Sequence, residues 1–207
     1  MVARREGYRA IAGIDEAGRG CLFGPVFAAA VILDPRAPLR GLNDSKRLSP
    51  ARREALDARI RASAAAFAVR AVDAAWIDLL NILQASRLAM KLAAEALAPE
   101  PDFLLVDALS VETALPQRAV IKGDRKSRSI AAASILAKVA RDRCMLAWDA
   151  VYPEYGLRSH KGYAAPAHLA ALREHGPAPQ HRRSFSPVAR AAGCGRARPL
   201  HGYTEEL

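Results

Sequence analysis

Short apolar runs alternate with longer amphipathic stretches along the chain. Arg9 to Asp15, Pro25 to Leu33, Phe67 to Val72, Phe103 to Asp107 and Arg118 to Lys122 are each apolar for a few residues and bounded by Gly, Pro or charge, the pattern of strands. Between them the period lengthens. Ser49 to Ala62 opens with Ser, Pro and a Glu five residues on, which marks a helix start. Asn81 to Ala98 sets Leu83, Met90, Ala93 and Leu97 on one face. A third helix, Ser129 to about Ala150, carries Ala132, Ile135, Val139 and Leu146 at spacings of three, four and seven, and stops before Tyr152-Pro153. The order strand, strand, helix, strand, helix, strand, strand, helix predicts a mixed α/β sheet covered by helices. From Tyr152 onward Pro, Gly, His and Arg dominate, with helical signal mainly over Ala165 to His175. The expected organisation is a main domain over 1–150, a small helical C-terminal cap over 151–190, and a tail over 191–207 with no apolar period and poor order.

Composition agrees with one folded unit. The chain has 207 residues, 51% hydrophobic and 25% charged, enough to bury a core and too short for two large domains. The stretch Cys21 to Leu33 lacks charge but contains Gly24 and Pro25 and falls short of the roughly 20 residues of a membrane span. Charges near Met1 are not followed by an apolar stretch, so no secretory signal is expected and a cytoplasmic location is. Cys21, Cys144 and Cys194 form no C-x-x-C pair, against a disulfide framework or a cysteine zinc site. No heptad or repeat asks for a dimer, which makes a monomer the expectation. Lys and Arg number 31 against 21 Asp and Glu, a net +10 that favours polyanionic partners and also simply keeps a protein in solution.

Candidate chemistry begins at Ile14-Asp15-Glu16-Ala17-Gly18-Arg19-Gly20, an apolar strand ending in two carboxylates and a Gly-Arg-Gly turn. Neighbouring strand side chains point to opposite faces, so both acids serve one site only if the strand ends or bends there, as Gly18 and Gly20 permit. The turn lets backbone N–H groups approach a phosphate or sugar, with Arg19 adding charge-assisted bonds. Taken alone, such an acid pair is more often a solvated strand end. Context comes from Phe103-Leu-Leu-Val-Asp107 and Lys122-Gly123-Asp124, two more apolar runs ending in an acid. Side by side, the three would form a carboxylate cluster whose oxygen-only donors suit Mg²⁺ or Mn²⁺. Two such ions can activate water and stabilise the leaving oxygen of a phosphodiester. There is no Gly-Lys-Ser/Thr phosphate loop, no His-Glu-x-x-His and no Gly-x-Ser-x-Gly, and Gly18-x-Gly20-x-x-x-Gly24 misses the dinucleotide fingerprint by one residue.

The chain resembles ribonuclease HII, the bacterial type 2 ribonuclease H. The matching pieces run in family order from residue 9 to about 190: Gly13-Ile-Asp-Glu-Ala-Gly-Arg-Gly20, Gly24-Pro-Val26, Gly41-Leu-Asn-Asp-Ser-Lys46, Asn81-Ile-Leu83, Val106-Asp107, Lys122-Gly-Asp124, Ala132-Ala-Ser-Ile-Leu-Ala-Lys138, Arg141-Asp142, Tyr155-Gly156, His160-Lys-Gly-Tyr163 and His181-Arg-Arg-Ser-Phe185. The resemblance implies a ribonuclease H-like mixed five-stranded sheet, with Asp15, Glu16, Asp107 and Asp124 as catalytic acids holding two Mn²⁺ or Mg²⁺ ions. It also implies that Gly18, Arg19 and Gly20 sense the ribose 2′-hydroxyl and that Tyr163 packs on the sugar beyond the scissile bond. The implied substrates are RNA/DNA hybrids and DNA duplexes containing ribonucleotides, cut to 3′-hydroxyl and 5′-phosphate ends. Two residues depart from the family pattern: Ala108 stands where Gly is frequent, and Cys21 where Pro usually follows the Gly-Arg-Gly turn.

Several assignments stay open at this level. Asp142 rivals Asp124 as fourth acid, but its place between Val139 and Leu146 predicts a carboxylate paired with a nearby Arg or Lys. Lys46 could clamp a substrate phosphate, although Asp44-Ser45 before a helix is also ordinary turn and cap chemistry. Lys138, His160, Lys161, His181, Arg182 and Arg183 read equally as backbone contacts or as a solvated face. Two rival functions are a catalytically silent duplex binder and a different nuclease or DNA-joint resolvase on the same scaffold.

Overall fold

The computed structural model describes residues 2–37, 39, 41–42, 45 and 48–193, so Lys46 and the tail from 194 onward lie outside the described residues. Five strands, β1 (Ile11–Ala17), β2 (Val26–Leu33), β3 (Ala64–Val72), β4 (Phe103–Asp107) and β5 (Gln117–Val120), form one sheet in the order β3-β2-β1-β4-β5. The first three are antiparallel neighbours, whereas β4 joins β1, and β5 joins β4, in parallel. The described helices are α1 (Val2–Arg5), α2 (Pro50–Ser63), α3 (Ala74–Leu80), α4 (Ile82–Glu95), α5 (Gly123–Lys126), α6 (Arg128–Val151), α7 (Leu157–His160), α8 (Pro166–His175) and α9 (Ser186–Ala192).

Alternation along the strands gives the sheet two buried faces. Ile14, Ala28 and Ala30 pack with Ala85, Ala89 and Met90 of α4, while Ala29 and Val31 pack with Ile135, Leu136 and Val139 of α6 and with Leu56 and Ile60 of α2. Small residues set the spacing. A Cβ on Gly13 would lie 2.2 Å from the Ser129 carbonyl carbon, so only glycine lets β1 touch the first turn of α6. Truncating Leu136, fully buried at this layer, would cost about 2–5 kcal/mol.

Most predicted elements are present, with instructive differences. Helix α2 runs directly into β3, which therefore starts at Ala64 instead of Phe67. Strand β5 stops at Val120, because Lys122 turns left-handed (φ 55°) and opens α5. Helices α3 and α9 were not predicted; each is seven residues, too short to show a period. Leu146, expected on the buried stripe of α6, is 38% exposed. By that turn α6 has passed the sheet, and Met145 and Trp148 face Phe23, Tyr152, Tyr155 and Leu157 instead. Among the described residues no helix is long and apolar enough to cross a membrane.

Candidate active site

The carboxylates gather where two parallel strands part. Pairing of β1 with β4 ends at Ile14↔Val106, one residue before Asp15 and Asp107. The pairing of β1 with β2 does not end there: it continues through Asp15↔Ala29, Glu16↔Ala28 and Ala17↔Phe27. The expected bend between the two acids is thus absent, and they leave opposite faces of one strand end. Of the two glycines expected to allow that bend, only Gly18 has positive φ (95°); Gly20 has an unstrained backbone and no atom within 4 Å of where its Cβ would be.

Each acid has its own support. Asp15 is buried on the α6 side, where its carboxylate accepts the Glu16 N–H at 2.7 Å and the neighbouring Ser134 hydroxyl favours its charged form. Ser134 in turn meets Ser45 at 2.8 Å, which sets Ser45 against α6. Burial, then the neighbouring charges of Glu16 and Asp107, hold the Asp15 carboxyl well above the usual carboxylate range. Glu16 is also raised by burial, opposed by Arg19, whose Nη1 lies 3.4 Å from Oε1. Its other oxygen, Oε2, is buried and has no hydrogen-bond partner among the described residues. Asp107 Oδ1 accepts the Gly123 N–H at 2.6 Å, and Asp124 follows in the first turn of α5. A Cβ on Gly123 would come within 2.6 Å of Ile130 Cδ1 and 3.0 Å of Asp107 Oδ1, so any larger residue here must shift both side chains.

This donor set fits a hard divalent cation. It is all oxygen, it concentrates like charge in a buried place, and it leaves one carboxylate oxygen unsatisfied. Among the described residues no three His, Cys, Asp or Glu side chains are drawn tightly enough together to hold an ion unaided.

Asp142 is engaged elsewhere. Lys138 Nζ reaches its Oδ1 at 2.6 Å and Arg53 Nη2 its Oδ2 at 3.5 Å, the pairing its position predicts. Lys138 Nζ also lies 5.8 Å from the Tyr163 ring centre. The row Ser134, Lys138, Asp142 on α6 therefore leads from Asp15 toward Tyr163, a residue 41% exposed.

Two buried guanidiniums organise the Gly-Arg-Gly turn. Arg182 donates to Gly24 O and Arg19 O, both at 2.9 Å; Arg141 donates to Phe23 O at 3.0 Å and Lys161 O at 2.8 Å. Burial pushes Arg182 down to about 10, still charged at neutral pH. A Cβ on Gly18 would fall 1.9 Å from Arg141 Nε, so the turn rests directly on this side chain. Leu22 N–H donates to Gly162 O at 2.8 Å, joining the turn to the segment that carries Tyr163. Arg182 and His181, at 0% and 1% exposure, are neither a solvated face nor exposed backbone contacts. Sequence reasoning missed the bracing roles of Ser134, Arg141 and Arg182; the one available signal was Arg141, two residues after Val139 on a helix with a buried stripe.

Comparison with known proteins follows the same lines. The family described as Ribonuclease HII matches residues 12–188. A ribonuclease HII from Solibacter usitatus is 62% identical over 89% of this chain and 81% of its own length. One from Geobacillus thermodenitrificans is 58% identical over 90% of this chain and 72% of its own. The crystal structure of the ribonuclease H2 from Pyrococcus horikoshii superposes with a TM-score of 0.75 at 26% identity, covering 89% of this chain and 98% of that one.

Proposed function

The chain belongs to the ribonuclease HII family, and we propose that it hydrolyses the RNA strand of RNA/DNA hybrids and cuts on the 5′ side of ribonucleotides embedded in duplex DNA. The observation that carries this reading is the buried, unpartnered Glu16 oxygen beside the raised Asp15 carboxyl, next to a turn too tight for any side chain at Gly18. Asp15, Glu16, Asp107 and Asp124 would hold divalent ions, Mg²⁺ or Mn²⁺, which supply a nucleophilic water at neutral pH and offset charge on the phosphate.

The protein's own groups do the rest. The Glu16 N–H orients the Asp15 carboxylate, and Gly123 N–H orients that of Asp107. Gly18, Arg19 and Gly20 present backbone and guanidinium donors to the ribose, whose 2′-hydroxyl separates RNA from DNA. Tyr163, exposed at the end of the α6 row, packs on the next sugar. Lys46 serves as a phosphate contact. The products are 3′-hydroxyl and 5′-phosphate ends, the main domain over 1–150 acts with its cap over 151–190, and the protein works as a cytoplasmic monomer.

The test is a labelled DNA duplex carrying one ribonucleotide, incubated with Mg²⁺ or Mn²⁺ or with excess chelator, beside an all-DNA duplex. A nick at the 5′ side of the ribonucleotide, lost with chelator and absent from the control, supports the reading. Bound duplex with no nick under either ion sinks it in favour of a silent binder. Cleavage of an all-DNA junction would point to a resolvase.

A further inference from the structure

Tyr163 is held by a chain of buried imidazoles that the reaction itself does not use. Its carbonyl accepts from His168 Nδ1 at 2.8 Å; His168 Nε2 meets His181 Nε2 at 3.1 Å; and Ala178 N–H donates to His181 Nδ1 at 3.0 Å. His168 and His181 are 0% and 1% exposed.

The partners leave a single proton arrangement. A carbonyl only accepts, so His168 carries its proton on Nδ1 and offers Nε2 as a lone pair. A backbone N–H only donates, so His181 offers Nδ1 and carries its proton on Nε2, aimed at His168. Both rings must be neutral, because an added proton on either would set two N–H groups against each other. Burial pushes both rings down, His181 to about 3, so this arrangement holds through the neutral range. His160, stacked on His168 with ring centres 4.5 Å apart, follows the same logic: Nε2 donates to Tyr155 O and Nδ1 accepts from Gly162 N–H. The turn between them is conformationally demanding. Lys161 and Gly162 both have positive φ, 51° and 79°, and Gly162 lies against Phe23 O.

We propose that His168, oriented by His181, is a positioning residue that holds the Tyr163 main chain so that its ring meets the sugar beyond the cut. The proposal rests on the sugar-packing role of Tyr163 given above. A misplacement of about 1 Å in such a group costs up to roughly a hundredfold in rate.

The geometry separates this role from general support of the fold. Asn at 168 can place an amide N–H where Nδ1 now donates, whereas Leu fills similar space with no donor. His168→Leu and His168→Asn are each made in the wild-type and Tyr163→Ala backgrounds, and kcat and KM are measured on a duplex with one ribonucleotide. Thermal melts check folding. The expected result is a kcat about tenfold or more lower for His168→Leu with KM little changed. His168→Asn should return to within about threefold of wild type, and His168→Leu should add less than about twofold once Tyr163 is Ala. Losses that multiply in the Tyr163→Ala background, or equal losses for Asn and Leu, overturn the positioning role. If Tyr163→Ala alone leaves kcat unchanged, the sugar-packing reading falls and the proposal falls with it, an outcome distinct from multiplied losses. Should His168→Leu fail to fold, the same cycle at His181 decides, with His181→Gln keeping a donor at Nε2 and His181→Leu removing it.

Discussion

Replacing Asp15 by Asn should make the protein more stable and inactive. The structure puts a carboxylate with 6% exposure beside two others, Glu16 and Asp107, that raise its pKa further. One neutral donor, the Glu16 N–H, and the nearby Ser134 hydroxyl are its compensation. Asn keeps the shape and an oxygen for the 2.7 Å bond from Glu16 N–H, while removing the charge that burial penalises. Relief of roughly 1–3 kcal/mol is expected from the cost of an imperfectly compensated buried group. For a chain of this size that is about 2–12 °C in Tm. Because the native carboxyl binds its proton more tightly than the unfolded one, acid favours the native wild type. The gap between the two proteins should therefore be full above the raised native value and close as pH falls through it toward the usual carboxylate range. Mg²⁺ should reverse the order. An ion at 100 times its Kd stabilises the protein that binds it by about 2.7 kcal/mol, and Asp15→Asn should gain little of this. Cleavage should fall by about a thousandfold or more, with duplex binding retained, since the basic surface is untouched. The measurements are thermal melts in chelator at several pH values, the same melts with Mg²⁺, and the single-ribonucleotide assay. An Asp15→Asn protein that melts below wild type in chelator would refute the electrostatic argument.

Tyr163→Ala should lower cleavage at an isolated ribonucleotide while shifting Tm by only a degree or two, because the side chain is 41% exposed; unchanged cleavage would remove its role. Gly18→Ala must displace Arg141 Nε, 1.9 Å from the new Cβ, and should cost about 1–3 kcal/mol and most of the activity, whereas Gly20→Ala, with open space, should melt within about 0.5 kcal/mol of wild type. Chemical denaturation of the pair tests the contrast, and equal destabilisation would contradict it. Arg182→Met should destabilise the turn by about 2–4 kcal/mol by leaving the Gly24 and Arg19 carbonyls without their donor, with Arg182→Lys intermediate; urea midpoints read this directly.

The residues legible in the sequence are those whose neighbours along the chain carry the pattern. Asp15, Glu16 and Asp107 close apolar runs, a recurrence that singled them out before the family resemblance gave them a role, and Asp142 sits on a helical stripe where a charge needs a partner. Arg141, Arg182 and His168 were not legible as supports, because their partners are loop carbonyls 5 to 163 residues away in sequence. No local signal marks a basic residue as buried when backbone oxygens, not acids, receive it. The shape of the Asp15-Glu16 strand end was misjudged for a related reason. The continuation of β1 is set by its partner β2, and a strand's partner is tertiary information.

Helix α6 is 24 residues long and unbroken, about 36 Å of rigid rod. Ser134, which touches Asp15, and Arg141, which underlies the Gly18 turn, are seven residues apart on it, about two turns or 10 Å. On the proposed reading, the rod would serve as a ruler between the place where a bond is cut and the place where a sugar is felt. One residue inserted between those marks would swing the far end by about 100° and advance it by about 1.5 Å, so the spacing cannot drift gradually. On that reading a change in a loop or the cap would alter how tightly a duplex is gripped, whereas the offset between sensed ribose and broken bond would be set by about two turns of one helix.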